Sequence, residues 1–244
     1  MRRSLPAWLS GALTISPWLA PSLARAELVP RPDARRTALQ STLALEPELT
    51  LSAALLFPLR LDSPRAVLSL GAGVKWAVLL PTRGDLQLSL GAAGSYLVAR
   101  DWGAACAASA LATRAQNEAA TFYGLGLELR CQPGYFHGAW SVGLDLGLQS
   151  ALSTHVEHSA TARSTFEERY PPGVTGITGP RDGWYRFTAT RFRVGVASSH
   201  RWGDHWSGVL ALGSLFARQD QGLLLAFNLA QLPIYLELGA GYAW

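Results

Sequence analysis

"IYLELGAGYAW", residues 234–244, reads as one strand with two unlike faces. Side chains alternate across a strand with a period of two. Ile234, Leu236, Leu238, Ala240, Tyr242 and Trp244 therefore share a side, and Tyr235, Glu237, Gly239, Gly241 and Ala243 share the other. The first side is wholly apolar. The second is small residues with one acid and one tyrosine. A free chain end frays, so a complete strand here implies a sheet that holds it.

The same alternation recurs upstream. Over 49–61, Leu49, Leu51, Ala53, Leu55, Phe57, Leu59 and Leu61 share a face. Leu68, Leu70, Val74, Trp76, Val78 and Leu80 do so over 66–80, and Leu86, Leu88, Leu90, Tyr96 and Val98 over 86–98. Tyr123, Leu125, Leu127 and Leu129 continue the pattern, then Trp140, Val142, Leu144, Leu146 and Leu148, then Phe192, Val194 and Val196, then Trp206, Leu210, Leu212 and Phe216. The only stretch with helix-favouring composition is 104–119, "AACAASALATRAQNEA". No solenoid-type repeat appears.

The faces opposite the leucines separate the possible all-β folds. A soluble sandwich puts Lys, Glu and Thr there to meet water. Here those positions are mostly Gly, Ser and Ala with sparse charges, which suits a narrow closed lumen. The leucine face, with aromatics near the strand ends, suits a lipid-facing band between aromatic girdles. This reading sets Trp76, Trp140, Trp206, Tyr242 and Trp244 on one rim, and Tyr96, Trp102, Tyr123, Trp184 and Tyr235 near the other. An open sheet has no place in lipid, because its edge groups would lack partners, so the sheet must close. Inverted, with leucines lining a cavity, the same pattern would make a soluble lipocalin-like binder.

Composition agrees. The chain is 49% hydrophobic and 16% charged, below the roughly 25% charged residues of a soluble domain. Residues 1–26 have Arg2 and Arg3, an apolar stretch broken by Pro6, Pro17 and Pro21, and Ala24-Arg25-Ala26. These features predict a secretory signal cleaved after Ala26. Without those three arginines the 21 basic residues fall to 18, against 17 acidic. The basic balance thus belongs to the leader, and no nucleic-acid partner is expected. Residues 27–37 read as a flexible mature N-terminus and 38–244 as the barrel.

The chain resembles the small outer-membrane β-barrel proteins of Gram-negative bacteria, porin-like small barrels. Leu238, Ala240, Tyr242 and Trp244 match their C-terminal assembly signal, with Trp in place of the usual Phe. The resemblance implies an antiparallel transmembrane up-and-down barrel, outer-membrane location, contact with outer-membrane lipid, and recognition by the barrel-assembly machinery. It implies little about activity.

Eight strands are predicted, at 39–61, 66–81, 86–101, 119–131, 139–152, 185–201, 206–218 and 232–244. The first is longer than the about 9–11 residues that span a bilayer, and 104–113 is too apolar for an outer loop. A ten-strand alternative splits the first strand at Glu46-Pro47-Glu48 and makes 104–113 a strand. It also sets Cys106 opposite Cys131, a possible disulfide in an oxidising envelope. In the eight-strand reading the turns at 82–85, 132–138 and 202–205 face the periplasm. Connections 62–65, 103–118, 153–184 and 218–232 face outward, although 62–65 is short for an outer loop.

Lys75, Glu128, Arg130, Asp145, Arg191, Arg193 and Glu237 point into the lumen under these phases. They are expected to form a charge network that fills it, the alternative being a selective pore. His155, Glu157, His158 and Ser159 in "THVEHSA" raise a hydrolytic or metal reading. The spacing lacks a third metal ligand, and the His-x-Ser pattern of lipid A deacylase-type barrels is absent. Arg83-Gly84-Asp85 reads as a turn facing the periplasm rather than as an adhesion tripeptide. No catalytic residue, metal or cofactor is expected, and a monomer is favoured. The expected role is structural or interactive through the 153–184 loop, with a narrow channel and an envelope lipid-modifying enzyme as alternatives.

Overall fold

The computed structural model describes residues 36–46, 48–59, 61, 63, 65–77, 86–116, 118–170, 179–186, 189–219 and 234–244. The predicted signal segment and most of the mature N-terminus lie outside them. Among the described residues eleven strands and one helix follow in order: β1 (Ala38–Glu46), β2 (Glu48–Leu59), β3 (Ala66–Ala77), β4 (Leu86–Leu97), β5 (Trp102–Gln116), β6 (Ala120–His137), β7 (Trp140–His158), α1 (Ala160–Arg169), β8 (Gly183–Tyr185), β9 (Ala189–Trp202), β10 (Trp206–Gln219) and β11 (Ile234–Ala243). Consecutive strands pair antiparallel from β1 to β7, then β7 with β9, β9 with β10, β10 with β11, and β11 with β1. Ten strands thus close a ring, and β8 pairs only with β7, outside it.

The ring has ten strands, the alternative count in the sequence reading, in place of eight. The long first strand folds back at Glu46–Glu48, where β1 and β2 pair down to Glu46↔Glu48. The alanine-rich stretch forms β5, not an outer loop with helical character. Alanine's helix preference is worth only tenths of a kcal/mol per residue relative to other common residues. In the closed sheet, residues Gly103 to Arg114 of β5 are in register with both β4 and β6. Residues 132–137, read as a turn, belong to β6, and the turn is at Gly138, where φ is +57°. The stretch read as loop 153–184 holds the end of β7, α1 and β8.

Two more strands reassign the ends of the barrel. Ala38 pairs with Ala243, so both described termini share one end with the connections β2–β3, β4–β5, β6–β7 and β9–β10. The β7–β9 and β10–β11 connections lie at the other end, with β1–β2, β3–β4 and β5–β6. The short 62–65 segment therefore joins the short turns. The β3–β4 connection carrying Arg83-Gly84-Asp85 leaves them for the end of the long connections. That tripeptide itself lies outside the described residues.

The rims change with the ends. Tyr96, Trp102, Tyr135, Trp140, Trp202, Trp206, Tyr242 and Trp244 are all exposed and all flank the terminal end. Trp76 moves to the opposite rim, with Tyr123 and Trp184. Tyr235 is no rim residue: it is fully buried on the inner face.

Burial is inverted relative to a soluble domain. Leu45, Leu55, Phe57, Leu70, Leu88, Leu127, Leu144, Val196, Leu212 and Leu238 all face outward, while Gln40, Gln87, Arg130, Gln132, Asp145, Arg193 and Glu237 are buried. Cys106 and Cys131 are register partners joined by a disulfide. They lie on the outward phase of β5 and β6.

Candidate functional site: the closed lumen

The inner wall is uneven. Strands β1 to β5 contribute mostly small buried residues, including Ala54, Ser69, Ser89, Ser95, Ala107 and Ser109. Strands β6, β7, β9 and β11 contribute most of the large ones, with Gln40, Lys75 and Gln87 on β1, β3 and β4. Their alternating phase brings Arg130, Asp145, Arg193, Tyr235 and Glu237 to one side of the interior.

Asp145 is the centre. Its Oδ1 accepts a hydrogen bond from Arg130 Nε at 2.6 Å. Its Oδ2 accepts from Arg193 Nε at 2.7 Å and from the Tyr235 hydroxyl at 2.7 Å. Arg193 Nη2 also donates to Glu237 Oε2 at 2.8 Å. Arg193 lies over the Tyr235 ring, with Cζ 3.5 Å from its centroid, in range of a cation–π interaction. Two arginines thus meet two carboxylates by direct hydrogen bonds. Asp145 and Glu237 are 0% exposed and Arg130 2%, so charges in such surroundings persist only because they are paired.

Tyr235 reaches Asp145 because of two glycines. Tyr235 is in register with Gly213, Gly213 with Gly195, and Gly195 with Asp145. A Cβ on Gly195 would lie 2.2 Å from the Tyr235 hydroxyl, and one on Gly213 would lie 2.7 Å from its ring. The bare backbone of β9 and β10 lets the phenol lie across both strands.

The seven charges read from the sequence all take the inner phase. Four of them, Arg130, Asp145, Arg193 and Glu237, join in the network above. Lys75 and Arg191 are buried and Glu128 is half-buried on the same inner surface. Sequence reasoning missed Tyr235 and Gln132 as parts of the interior. Gln132 Nε2 donates to the Ala197 carbonyl at 3.2 Å. Their signal was the same alternation that placed the charges. Leu238, Tyr242 and Trp244 are exposed on the outward phase of the closing strand, with Ala240 between them.

The "THVEHSA" residues separate. Ser159 caps α1, accepting from the Ala162 amide at 3.1 Å while its hydroxyl donates to the Glu118 carbonyl at 2.7 Å. It is committed to backbone rather than poised beside a base. The His158 ring meets Asp182 at 3.0 Å and the His158 amide donates to the same carboxylate at 2.9 Å. Arg163 of α1 also pairs with Asp182. The His158 amide bond, then the ring bond, hold the Asp182 carboxyl below its ordinary value of 3.8, with Arg163 adding to them. This cluster ties α1 and the segment before β8 to the end of β7. His155 lies elsewhere, between Tyr123 and Trp184. Among the described residues, no group of three or more His, Cys, Asp or Glu is arranged to hold a metal ion.

Among the described residues no helix is long and apolar enough to cross a membrane. The strands supply the membrane surface instead: a closed ring satisfies every ladder, the outer face is a leucine band, and aromatics edge it. The molecule is a transmembrane β-barrel.

No family model matches the chain, and no curated protein does. Solved structures with similarity include Ail, the attachment invasion locus protein of Yersinia pestis, at 11% identity and a TM-score of 0.36, covering 86% of this chain and 99% of Ail. The N-terminal β-barrel domain of Pseudomonas aeruginosa OprF is 10% identical with a TM-score of 0.31, covering 86% of this barrel's chain and 98% of its own. The β-domain of the Bordetella autotransporter BrkA is 12% identical with a TM-score of 0.39, covering 86% and 97%. The barrel itself rests on its strand register and its inverted surface.

Proposed function

We propose that this is a non-enzymatic barrel of the bacterial outer membrane, exported by its N-terminal signal and closed by its own interior. It acts through the wall of β5 to β8 and the connections around it. The observation that carries this reading is the lumen. The Arg130–Asp145–Arg193–Glu237 chain crosses from β6 to β11 with its carboxylates fully buried. Paired side chains from these neighbouring strands occupy that side of the interior, which supports a closed lumen.

The structure extends well past the leucine band at the end of the long connections. There β7 continues to His158, β8 pairs with it, and α1 is anchored by Asp182. A held surface of this kind suits contact with a partner. The Ser159 hydroxyl is committed to the Ala162 amide and the Glu118 carbonyl, which supports a non-enzymatic role over a lipid-modifying one.

A narrow channel is the second reading, favoured by Gln40 and Gln87. Both amides are buried on the small-residue wall without a hydrogen-bond partner among the described residues. Buried amides are normally satisfied, so a polar passage along that wall would account for them. Planar-bilayer recording of the refolded barrel decides. Silence at both polarities is the expected result. Stable unitary openings in the wild-type barrel would replace the closed-barrel reading with the channel.

A further inference from the structure

We propose that the outer face of β5 seats one phosphate-bearing lipid of the surrounding bilayer, its headgroup phosphate held by Arg114, Tyr123 and His155. The inference rests on the membrane-spanning reading. It begins with one register row. Leu86 pairs with Arg114, Arg114 with Tyr123, Tyr123 with His155, and His155 with Trp184. Leu86, Tyr123 and Trp184 are exposed, so the row faces outward.

The row marks a boundary. The outward row nearer the middle of the barrel is Leu88, Ala112 and Leu125, apolar on β4 to β6, and ends on β7 at Ser153. The outward row beyond it is Gln116, Thr121 and Glu157, which is polar. Lipid phosphates lie where an apolar band gives way to polar surface, and Trp and Tyr mark that level. Arg114 and His155 stand there two strand spacings apart, about 10 Å, with Tyr123 between them. Arginine suits phosphate because its planar fork donates two parallel hydrogen bonds. Arg114 Nη2 already donates to Gln116 Oε1 at 3.0 Å, which orients the guanidinium along the strand. The His155 ring lies 6.3 Å from Tyr123 and 5.3 Å from Trp184. Its Nδ1 is 3.8 Å from Glu157. That carboxylate offsets the histidine, so Arg114 is the principal phosphate ligand.

Below Arg114 the outward positions of β5 are Ala112, Ala110, Ala108, Cys106 and Ala104. Leu88 and Leu90 flank Ala112 and Ala110 on β4, and Leu125, Leu127 and Leu129 flank Ala112, Ala110 and Ala108 on β6. The alanines form a floor walled by leucine on both sides at Ala112 and Ala110 and on the β6 side at Ala108, a short groove that leads away from the cationic row to the Cys106–Cys131 disulfide. β9 and β10 instead present Phe192, Val194, Val196, Leu210 and Leu212. An acyl chain in this groove continues from a headgroup at Arg114. A second copy is the poorer occupant, since a two-fold contact across the groove brings two Arg114 side chains together.

The test uses the full-length barrel refolded in phosphatidylcholine nanodiscs containing a minor share of phosphatidic acid. Native mass spectrometry after mild release counts the retained lipids, and a heat-modifiability gel on the same sample reports folding. Wild type is expected to keep one phosphatidic acid. Arg114→Gln weakens this roughly tenfold, the scale of one charge-assisted pair. Ala110→Leu fills the groove and abolishes it, and Val196→Leu on the far face changes nothing. Equal retention of the two lipids, or equal retention by all variants, would mean bulk lipid only and overturn the proposal. So would full displacement by inorganic phosphate, which would leave the groove without a part, or a dimer mass without lipid. Loss of the heat shift in wild type would remove the membrane-spanning reading as well, and so is distinguishable.

Discussion

Asp145 holds three donors from three other strands: Arg130 on β6, Arg193 on β9 and Tyr235 on β11. Asp145→Asn keeps the shape but leaves two buried guanidiniums short of one negative charge. Breaking a buried pair from one side costs about 3–5 kcal/mol, so the urea midpoint of the detergent-folded barrel should fall clearly. Glu157→Gln, on the exposed end of β7, should stay within about 0.5 kcal/mol. Equal midpoints for the two variants would refute the network's structural role. Alternation alone put Asp145 and its arginines on the inner face, because a period of two fixes which way a side chain points. It did not reveal that Tyr235 bonds Asp145. That contact depends on Gly195 and Gly213 lying in register between them, and register links residues far apart in the chain.

At the scale of elements, β5 and the β7–α1–β8 assembly were the least legible. The Ala-rich sequence of β5 favours helix locally, and only pairing with both neighbours makes it a strand. α1 has no buried residue and so left no apolar stripe to find. It is held by a cap at Ser159 and by Asp182, both polar and local to the fold. Asp182 gives this assembly a pH dependence. Its carboxyl is held below 3.8 in the folded protein, so the ionised form is the one that stabilises. The contribution is full above 3.8 and is lost as pH falls through the lowered value. Hydrogen-exchange protection of the His158 amide should therefore hold at and above pH 5 and drop on acidification below 3.8. Protection that is flat through this range would show that the clamp does not depend on the Asp182 charge.

For the whole molecule, closure is the property that governs behaviour. Ten paired strands leave no edge in lipid, and such sheets unfold slowly because every ladder must open together. The folded barrel should resist dodecyl sulfate unless boiled, and boiling should change its migration on a gel. A protein that extracts in buffer without detergent and shows no heat shift would contradict the lipid-facing surface. The alternation of "IYLELGAGYAW" and its counterparts determined by itself that the chain is all-β, which face of each strand is apolar, and which charges share the interior. Those are local properties, set by the two-residue period of a strand. Only the tertiary structure decided that the ring has ten strands, that β5 is one of them, and which connections share an end. It also decided that Cys106 meets Cys131 and that four of the seven charges form one chain through Asp145. These follow from pairing between distant segments, where one added strand reverses the direction of every strand between it and the next.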